Sequence, residues 1–233
     1  MKLIKPYYEI RTSINGEQIL INIEQAARTC YKSEGKIEIE ATPYTDGVHT
    51  VVVGYSKYAK SARELIPKLL SKNHEAMLEF GGMINVLFVC DRGVSHELVR
   101  HRLCSFTQES TRYCNYTSEK YDGDITFIIP VWLQDDNIRQ DVSHSYLVWY
   151  DTILECEKSY KQLIKDGWSP QEARSVLPNS LKTEINLSAN IREWRHIFRL
   201  RCSAAAHPQM RELMIPLLKD FQSQIPILFD NLN

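Results

Sequence analysis

The residues best suited to chemistry lie in one short segment. From Arg100 to Tyr113 the chain reads RHRLCSFTQESTRY, so three cationic or titratable side chains precede a loop rich in hydroxyls, amides and a further arginine. Guanidinium groups bind phosphate oxygens in pairs, and hydroxyl and backbone N–H groups complete an anion site. Runs of charge more often form a solvated surface, although Leu103 and Phe106 interleave with these charges and indicate partial burial. The residues alone leave both interpretations open.

A second basic cluster lies near the carboxyl end, where Asn190–Arg201 reads NIREWRHIFRLR. Successive residues turn about 100° on a helix, so one face would carry Arg192, Arg195, His196 and Arg199. Arg201 would lie near the opposite face, with Asn190 and Trp194. A helix with functional cations on two faces suits a site built between subunits. The alternative is that these arginines pair with Glu193 and other surface acids, which contributes little.

Other candidates are uninformative by themselves. His74 and Glu79 flank a short apolar patch, and Arg174 precedes a Leu-Pro pair. Cys104 or Cys114 is a candidate nucleophile with His101 as base, but free thiols packed as small hydrophobes are the commoner case. The six cysteines show no C-x-x-C pair, so we predict no disulfide and no metal site.

Several elements must position these residues. The patterns predict a loop or irregular hairpin over Ser33–Thr50, a helix over Ser56–Asn73, and a strand over Ile84–Cys90 that ends in a turn at Asp91–Gly93. They also predict a short helix from Ser95 through Arg102, a loop over Ser105–Tyr116, a long helix over Tyr146–Ile164, a capping box at Ser169, a strand over Leu181–Ala189, a helix from Asn190 to about Cys202, and a final helix around Met210–Phe221.

Composition limits the class of protein. The 233 residues carry 28 Lys+Arg against 29 Asp+Glu, with 43% hydrophobic residues. This balance provides no global field for nucleic acid or an acidic membrane, and no stretch approaches the roughly 20 apolar residues of a membrane helix. We therefore expect a soluble, cytoplasmic protein with one α+β domain over residues 1–233, a small sheet and several helices.

The motifs together resemble the flavin-dependent thymidylate synthases, whose signature is R-H-R-x-x-S-x-N-E-x-S-x-R-Y. Its matched positions are Arg100, His101, Arg102, Ser105, Ser110, Arg112 and Tyr113. Further segments match in collinear order, namely His74-Glu75 with Glu79, Arg174 with Leu177-Pro178, and Asn190, Arg192 and His196 followed by Leu200-Arg201. The resemblance therefore covers most of the chain.

The resemblance implies a methyltransferase that makes dTMP from dUMP. Its members take the methyl carbon from methylenetetrahydrofolate, use FAD reduced by NADPH, and form homotetramers with FAD sites between subunits. The residues matching FAD-binding positions are His74, Glu79, Arg100, His101, Arg102, Thr107, Gln108, Asn190, Arg192 and His196. Those matching dUMP-binding positions are Glu97, Arg100, Gln108, Glu109, Ser110, Thr111, Arg112, Arg174 and Arg201.

Arg201 matches the arginine that activates the uracil ring, so we assign it the catalytic role without an enzyme nucleophile. Thr107 and Gln108 depart from the usual Asn-Glu pair, and Ala205 stands where some members have histidine. Gln108 keeps hydrogen-bonding capacity but brings no charge. The competing hypothesis is a single-stranded nucleic-acid-binding protein that uses the two arginine clusters, against which the pI near 6.7 argues.

Overall fold

The computed structural model describes residues 1–44, 54–133 and 144–232. Its chain forms two compact units, each drawn from three separate stretches. The first unit comprises Met1–Ile10, Val86–Leu187 and His207–Leu213, and the second comprises Arg11–Asn85, Ser188–Ala206 and Met214–Asn233. Helices and small sheets are mixed without a repeating strand–helix order, as an α+β protein requires. The assignment of one domain to residues 1–233 stays a prediction.

The first unit is built on a four-stranded sheet in the order β2-β5-β8-β6. These strands are β2 (Tyr7–Ile10), β5 (Met83–Asp91), β6 (Ser105–Gln108) and β8 (Lys182–Asn190). A parallel pair joins β1 (Lys2–Ile4) to β7 (Thr126–Ile128). The helices of this unit are α3 (Arg92–Leu98), α4 (His144–Lys165) and α5 (Pro170–Ala173).

Apolar packing in the first unit gathers α4 and the strand β7 around a tyrosine pair. The rings of Tyr116 and Tyr160 lie 5.8 Å apart, and Phe127 and Ile153 are buried in the same cluster. Cys114 packs against this cluster. The core therefore fixes the far end of the predicted loop that begins at Ser105.

The second unit contains most of the remaining helices. These are α1 (Gly16–Tyr31), α2 (Lys60–Ser71), α6 (Ile191–Arg201), the greater part of α7 (Pro208–Gln224) and α8 (Pro226–Phe229). An antiparallel hairpin pairs β3 (Glu40–Tyr44) with β4 (Gly54–Tyr58). The core of the second unit is aromatic. The ring centroids of contacting pairs among Trp194, Phe198, Phe221 and Phe229 lie 5.1–5.9 Å apart, and all four residues are fully buried.

The structure confirms the predicted strands β5 and β8 and the helices α4 and α6. Along β8 burial alternates residue by residue, because one face of the strand packs inward. Of the loop or irregular hairpin predicted over Ser33–Thr50, the structure shows one strand, β3, which pairs with β4 beyond the predicted range, and residues 45–50 lie outside the described part of the chain. Pro67 lies within α2 and does not end it.

Three local predictions are wrong. The helix predicted from Ser56 begins only at Lys60, because residues 54–58 pair as β4. The turn predicted at Asp91–Gly93 is the start of α3, which Asp91 rather than Ser95 caps, and this helix ends at Leu98. The loop predicted from Ser105 begins as strand β6, because it pairs at the sheet edge.

Gly81 marks a close approach inside the second unit. A Cβ built there would lie 2.6 Å from Ile191 Cγ1 and 3.1 Å from Ile23 Cδ1. We therefore expect Gly81→Ala to lower the free energy of unfolding by about 1–3 kcal/mol, as other overpacked core substitutions do. Urea unfolding measures this, with Gly35→Ala as the control, since a Cβ at Gly35 meets nothing within 4 Å. Equal midpoints for the two variants would contradict the packing argument.

Membrane insertion by a helix finds no support in the described ranges. None of the helices there combines the length and the apolar character needed to cross a bilayer.

Candidate functional site

The first unit contains a cationic cavity of about 250 Å³. Its described lining has two arginines and a histidine and includes no aspartate or glutamate. The lining residues are Arg92, His96, Thr111, Arg174, Ser175, Leu177, Pro178, Asn179 and Leu181. Two guanidinium groups without a nearby acid favour an anionic ligand, and a phosphate group matches their hydrogen-bonding geometry.

Helix α3 contributes Arg92 and His96 to this lining. It begins directly after β5, where Asp91 Oδ1 accepts a hydrogen bond from Val94 N at 2.9 Å. Asp91 Oδ2 accepts from Gln209 Nε2 at 2.8 Å, and burial raises the pKa of this carboxyl. Arg92 and His96 are four residues apart, so both lie on the same face of α3. The cap therefore sets the position of the cationic face.

A buried hydroxyl holds the guanidinium of Arg92. Thr183 Oγ1 accepts from Arg92 Nη1 at 3.3 Å and from Gln108 Nε2 at 3.1 Å, and Thr183 is only 1% exposed. Gln108 Nε2 also lies 2.9 Å from Ser95 Oγ. Gln108, which replaces an expected glutamate, thus links β6 to β8 and α3 through neutral hydrogen bonds.

Arg174 is hydrogen-bonded to the motif loop, the name used here for residues 109–116, which follow β6. Its Nη1 donates to Thr111 Oγ1 at 3.1 Å, and Thr111 is buried although Arg174 itself is exposed. The two residues are 63 positions apart in sequence. The structure therefore brings together two of the predicted nucleotide-binding residues at one wall of the cavity.

The rest of the motif loop is anchored by Glu109. Its carboxylate accepts from Lys182 Nζ at 3.0 Å and from the Tyr116 hydroxyl at 3.2 Å. Burial, together with the charge of Glu109, raises the pKa of Tyr116. Beyond it, the carbonyl of Ser110 accepts from two backbone N–H groups of the following turn, and Arg112 is exposed, 5.5 Å from the ring centroid of Tyr113. Glu109 therefore anchors the loop, while Arg112 stays accessible.

Three consecutive basic residues follow α3. Arg100 and Arg102 are exposed, and neither forms an ion pair with an acid of the described chain, whereas His101 is buried. Thr107 Oγ1 accepts from Asn186 Nδ2 at 3.4 Å. Two exposed guanidinium groups close in sequence form a donor set that suits a diphosphate.

In the second unit, helix α6 and the segment from His74 to Gly81 carry the other predicted residues. Asn190 caps α6, with its Oδ1 accepting from Glu193 N at 2.9 Å, and the helix thus begins where the sequence predicted its start. Arg192 Nη1 lies 2.6 Å from Glu79 Oε1, and both side chains are about half exposed. Two residues predicted to bind the same cofactor are therefore paired with each other.

Arg195 is the exception on this helix. The sequence placed it on a functional face, but it is 1% exposed and donates through Nη2 to Glu75 Oε1 at 3.2 Å. Arg199 also donates to Glu75, at 2.5 Å. Arg195 is therefore a core residue and does not lie on an exposed functional face. The paired carboxylate of Glu75 compensates its buried charge.

The Glu75 ion pair has a pH signature. The hydrogen bond from Arg199, aided by the charge of Arg195, holds the pKa of Glu75 below its ordinary value of 4.5 despite partial burial. A depressed carboxyl pKa contributes stability above the unfolded-state pKa and loses it as the pH falls through the folded-state pKa. We expect the difference in Tm between wild type and Glu75→Gln to stay constant above about pH 5 and to vanish at lower pH. A difference that is the same at pH 3 and pH 7 would contradict this.

Comparison with known proteins decides the family. Residues 16–227 match the Thy1 family, described as Thymidylate synthase complementing protein. This chain belongs to the Thy1 family. A flavin-dependent thymidylate synthase of Pyrococcus abyssi is 33% identical over 155 residues, which are 66% of this chain and 60% of that protein. The one of Geobacter sulfurreducens is 28% identical over 204 residues, 88% of this chain and 78% of that protein. The match thus spans about three-fifths of the length of the Pyrococcus relative.

A solved structure shares the fold. The UMP/dUMP methylase PolB from Streptomyces cacaoi, crystallised with 5-Br dUMP, superimposes with a TM-score of 0.71 at 20% identity and covers 99% of this chain and 96% of its own. At that identity the likeness establishes a shared fold and no more.

The Thy1-like residues fall into both units. The first unit contains the motif from Arg100 to Arg112 together with Glu97 and Arg174. The second contains His74, Glu79, Asn190, Arg192, His196 and Arg201. Of these, His74 and His196 are exposed, and Arg201 is half-buried at the last turn of α6.

Sequence reasoning missed Arg92 and Thr183. Arg92 was hidden because Asp91-Arg92-Gly93 has the composition of a turn. The four-residue spacing of Arg92 and His96 could have indicated a shared helix face. This inference requires knowing that α3 begins at Arg92. Thr183 alternates inward on β8, and nothing in its surroundings in the sequence marked its hydroxyl as an acceptor for Arg92.

Proposed function

We propose that this chain is a flavin-dependent thymidylate synthase, an enzyme that methylates dUMP reductively to dTMP. Methylenetetrahydrofolate would donate the carbon, NADPH the reducing equivalents, and FAD would be the cofactor. The observation that carries the proposal is the cavity where Arg174, fixed to Thr111 of the motif loop, shares an acid-free lining with Arg92. Membership of the Thy1 family and the names of the relatives support it.

The nucleotide phosphate is the group this cavity would bind. Arg92 and Arg174 offer forked N–H donors, and the loop residues Ser110 and Arg112 lie in the same chain segment as Thr111. The predicted dUMP set also includes Glu97 of α3, Gln108 of β6, and Arg100, Glu109 and Arg201. These residues would bind and orient the substrate, while the sugar and base extend beyond the phosphate.

The residues present fit FAD. Arg100 and Arg102, both exposed and without acidic partners in the described chain, suit its diphosphate. His101, Thr107 and Gln108 of the same segment belong to the predicted FAD set. The other members of that set are residues of the second unit, namely His74, Glu79, Asn190, Arg192 and His196. Bound flavin supplies the hydride chemistry, and the protein supplies orientation and electrostatics.

Arg201 is the proposed catalytic residue. Its guanidinium would lie against the uracil ring and stabilise the negative charge that develops on the pyrimidine when its carbon attacks the methylene donor. This role needs no enzyme nucleophile. The cysteine alternative is weaker because Cys114 packs against the core cluster as a partly buried hydrophobic residue. Full activity of Cys104→Ala would remove the remaining candidate nucleophile.

The second arginine cluster gives the nucleic-acid alternative less support than the sequence suggested, because Arg195 is buried against Glu75 and Arg199 pairs with the same carboxylate. Three arginines of the second cluster, Arg192, Arg195 and Arg199, are engaged with Glu79 and Glu75. A homotetramer and a cytoplasmic location belong to the proposed function as predictions. Light scattering coupled to size exclusion tests the assembly.

The visible spectrum of the purified protein with FAD tests the proposed function. We expect oxidised-flavin bands that survive desalting, bleach with NADPH and shift on addition of dUMP. Loss of all flavin on desalting, with no response to dUMP, would overturn the proposal. A steep fall of oligonucleotide binding with salt would then favour the nucleic-acid alternative.

A further inference from the structure

The segment from His74 to Gly81, here called the flavin-side segment, is attached to helix α6 by ion pairs at two of its residues, Glu75 and Glu79, which differ in character. Glu75 is 12% exposed and accepts from the buried Arg195, whereas Glu79 and Arg192 are both nearly half exposed. Exposed pairs contribute little and exchange readily. A buried charge that loses its partner is strongly unfavourable. The Glu75 pair is therefore the fixed attachment, and the Glu79 pair is the exchangeable one.

Arg195 joins the flavin-side segment to the carboxyl-terminal residues. Its Nη1 donates to the carbonyl of Leu228 and, at 2.9 Å, to Asn231 Oδ1, while Nη2 reaches Glu75. Burial lowers the pKa of Arg195, and Glu75 opposes that shift. One guanidinium thus joins three stretches of the second unit. A substitution at residues 228–231 is therefore expected to alter the position of Arg195 and, through it, of Glu75.

The far end of the flavin-side segment is held by close packing. At Gly81 the backbone approaches Ile191 so closely that a Cβ would overlap it. Three residues on, the carbonyl of Ile84 accepts from Trp194 Nε1 at 3.0 Å. Both ends of the segment are therefore fixed to α6, and the Glu79–Arg192 pair between them is free to open.

We propose that Glu75 and Arg195 are positioning residues for the cofactor, which hold the flavin-side segment in place while Glu79 and Arg192 exchange their mutual ion pair for contacts with FAD. Leu228 and Asn231 stabilise this arrangement by accepting hydrogen bonds from Arg195. The inference rests on the proposed flavin function. Neither Glu75 nor Arg195 needs to touch the cofactor for this role.

The test compares FAD affinity and the spectrum of bound flavin among three variants. Glu75→Gln removes the charge at the fixed attachment, Asn231→Ala removes one hydrogen bond to Arg195, and Glu17→Gln is the matched control. Glu17 also pairs with an arginine, Arg63, in the second unit, but it does not belong to the flavin-side segment. We expect FAD affinity to fall about tenfold or more for Glu75→Gln, a few-fold for Asn231→Ala and less than twofold for Glu17→Gln.

A purely structural role for Glu75 would lower thermal stability without altering flavin that is bound at saturation. We expect instead a shifted absorption maximum for FAD bound to Glu75→Gln, and unchanged dUMP affinity. Wild-type FAD affinity and spectrum in both Glu75→Gln and Asn231→Ala would overturn the inference. Should Glu75→Gln fail to fold, Asn231→Ala decides, because Asn231 is exposed and its replacement leaves the ion pair intact. Failure of the wild type itself to bind FAD would overturn the proposed function as well. The behaviour of the wild type thus tests the proposed function, and the comparison between variants tests the positioning role.

Discussion

Replacing Arg174 with alanine is expected to weaken dUMP binding at least about 30-fold and to leave FAD affinity within twofold of wild type. Arg174 is exposed at the cavity wall, so its removal leaves the core intact. A charge-assisted hydrogen bond contributes roughly 1.5–3 kcal/mol, and a forked guanidinium makes two. Isothermal titration with dUMP measures the loss, and titration with FAD measures the selectivity.

The control for Arg174→Ala is Arg11→Ala, which removes the same side chain from an exposed position in the second unit. We expect this control to bind dUMP as the wild type does. Deoxyuridine, which lacks the phosphate, provides a second check, because its weak binding should not change in Arg174→Ala. An equal loss of affinity in both variants, or an unchanged dUMP affinity in Arg174→Ala, would show that the cavity does not bind the phosphate.

Replacing Arg201 with alanine is expected to lower kcat by roughly 10²–10³-fold while FAD stays bound. Removal of one donor that stabilises transition-state charge has an effect of this size. Arg201 is half-buried at the last turn of α6, and retained flavin in the variant shows that the protein is folded. The measurement is single-turnover formation of dTMP at saturating dUMP.

Arg201→Lys separates charge from geometry. Lysine keeps the cation but loses the planar fork, so we expect partial rescue compared with alanine. Rates equal to wild type in Arg201→Ala, with flavin bound, would refute the catalytic assignment.

Elements that carry a strong local pattern were predictable from the sequence. The alternation along Leu181–Ala189 and the cap at Asn190 fixed β8 and the start of α6, and both are found as expected. The failures lie where local composition competes with tertiary context. Asp91-Arg92-Gly93 has turn composition, yet the buried Asp91 carboxylate caps a helix and binds Gln209, which is 118 residues away.

The candidate site shows the same division. The resemblance to the flavin-dependent thymidylate synthases placed Thr111 and Arg174 in the nucleotide set, and the structure joins them by a hydrogen bond. Spacing on α6 grouped Arg195 with the exposed arginines, because helical geometry alone does not show that Glu75, 120 residues earlier, is its partner. Whether a charged side chain is buried depends on a partner that can lie far away in the sequence. A single sequence does not show which residues form such a pair.

Formation of dTMP tests the central claim most directly. The purified protein would be incubated with dUMP, methylenetetrahydrofolate, FAD and NADPH, and the nucleotides separated by chromatography, with each component omitted in turn. We expect dTMP only when dUMP, methylenetetrahydrofolate and NADPH are all present. Because the wild type is expected to retain flavin on desalting, the FAD requirement is tested with a low-affinity variant such as Glu75→Gln, whose turnover stops after desalting and returns when FAD is added back. Absence of dTMP from the complete mixture, with flavin demonstrably bound and reduced, would contradict the account.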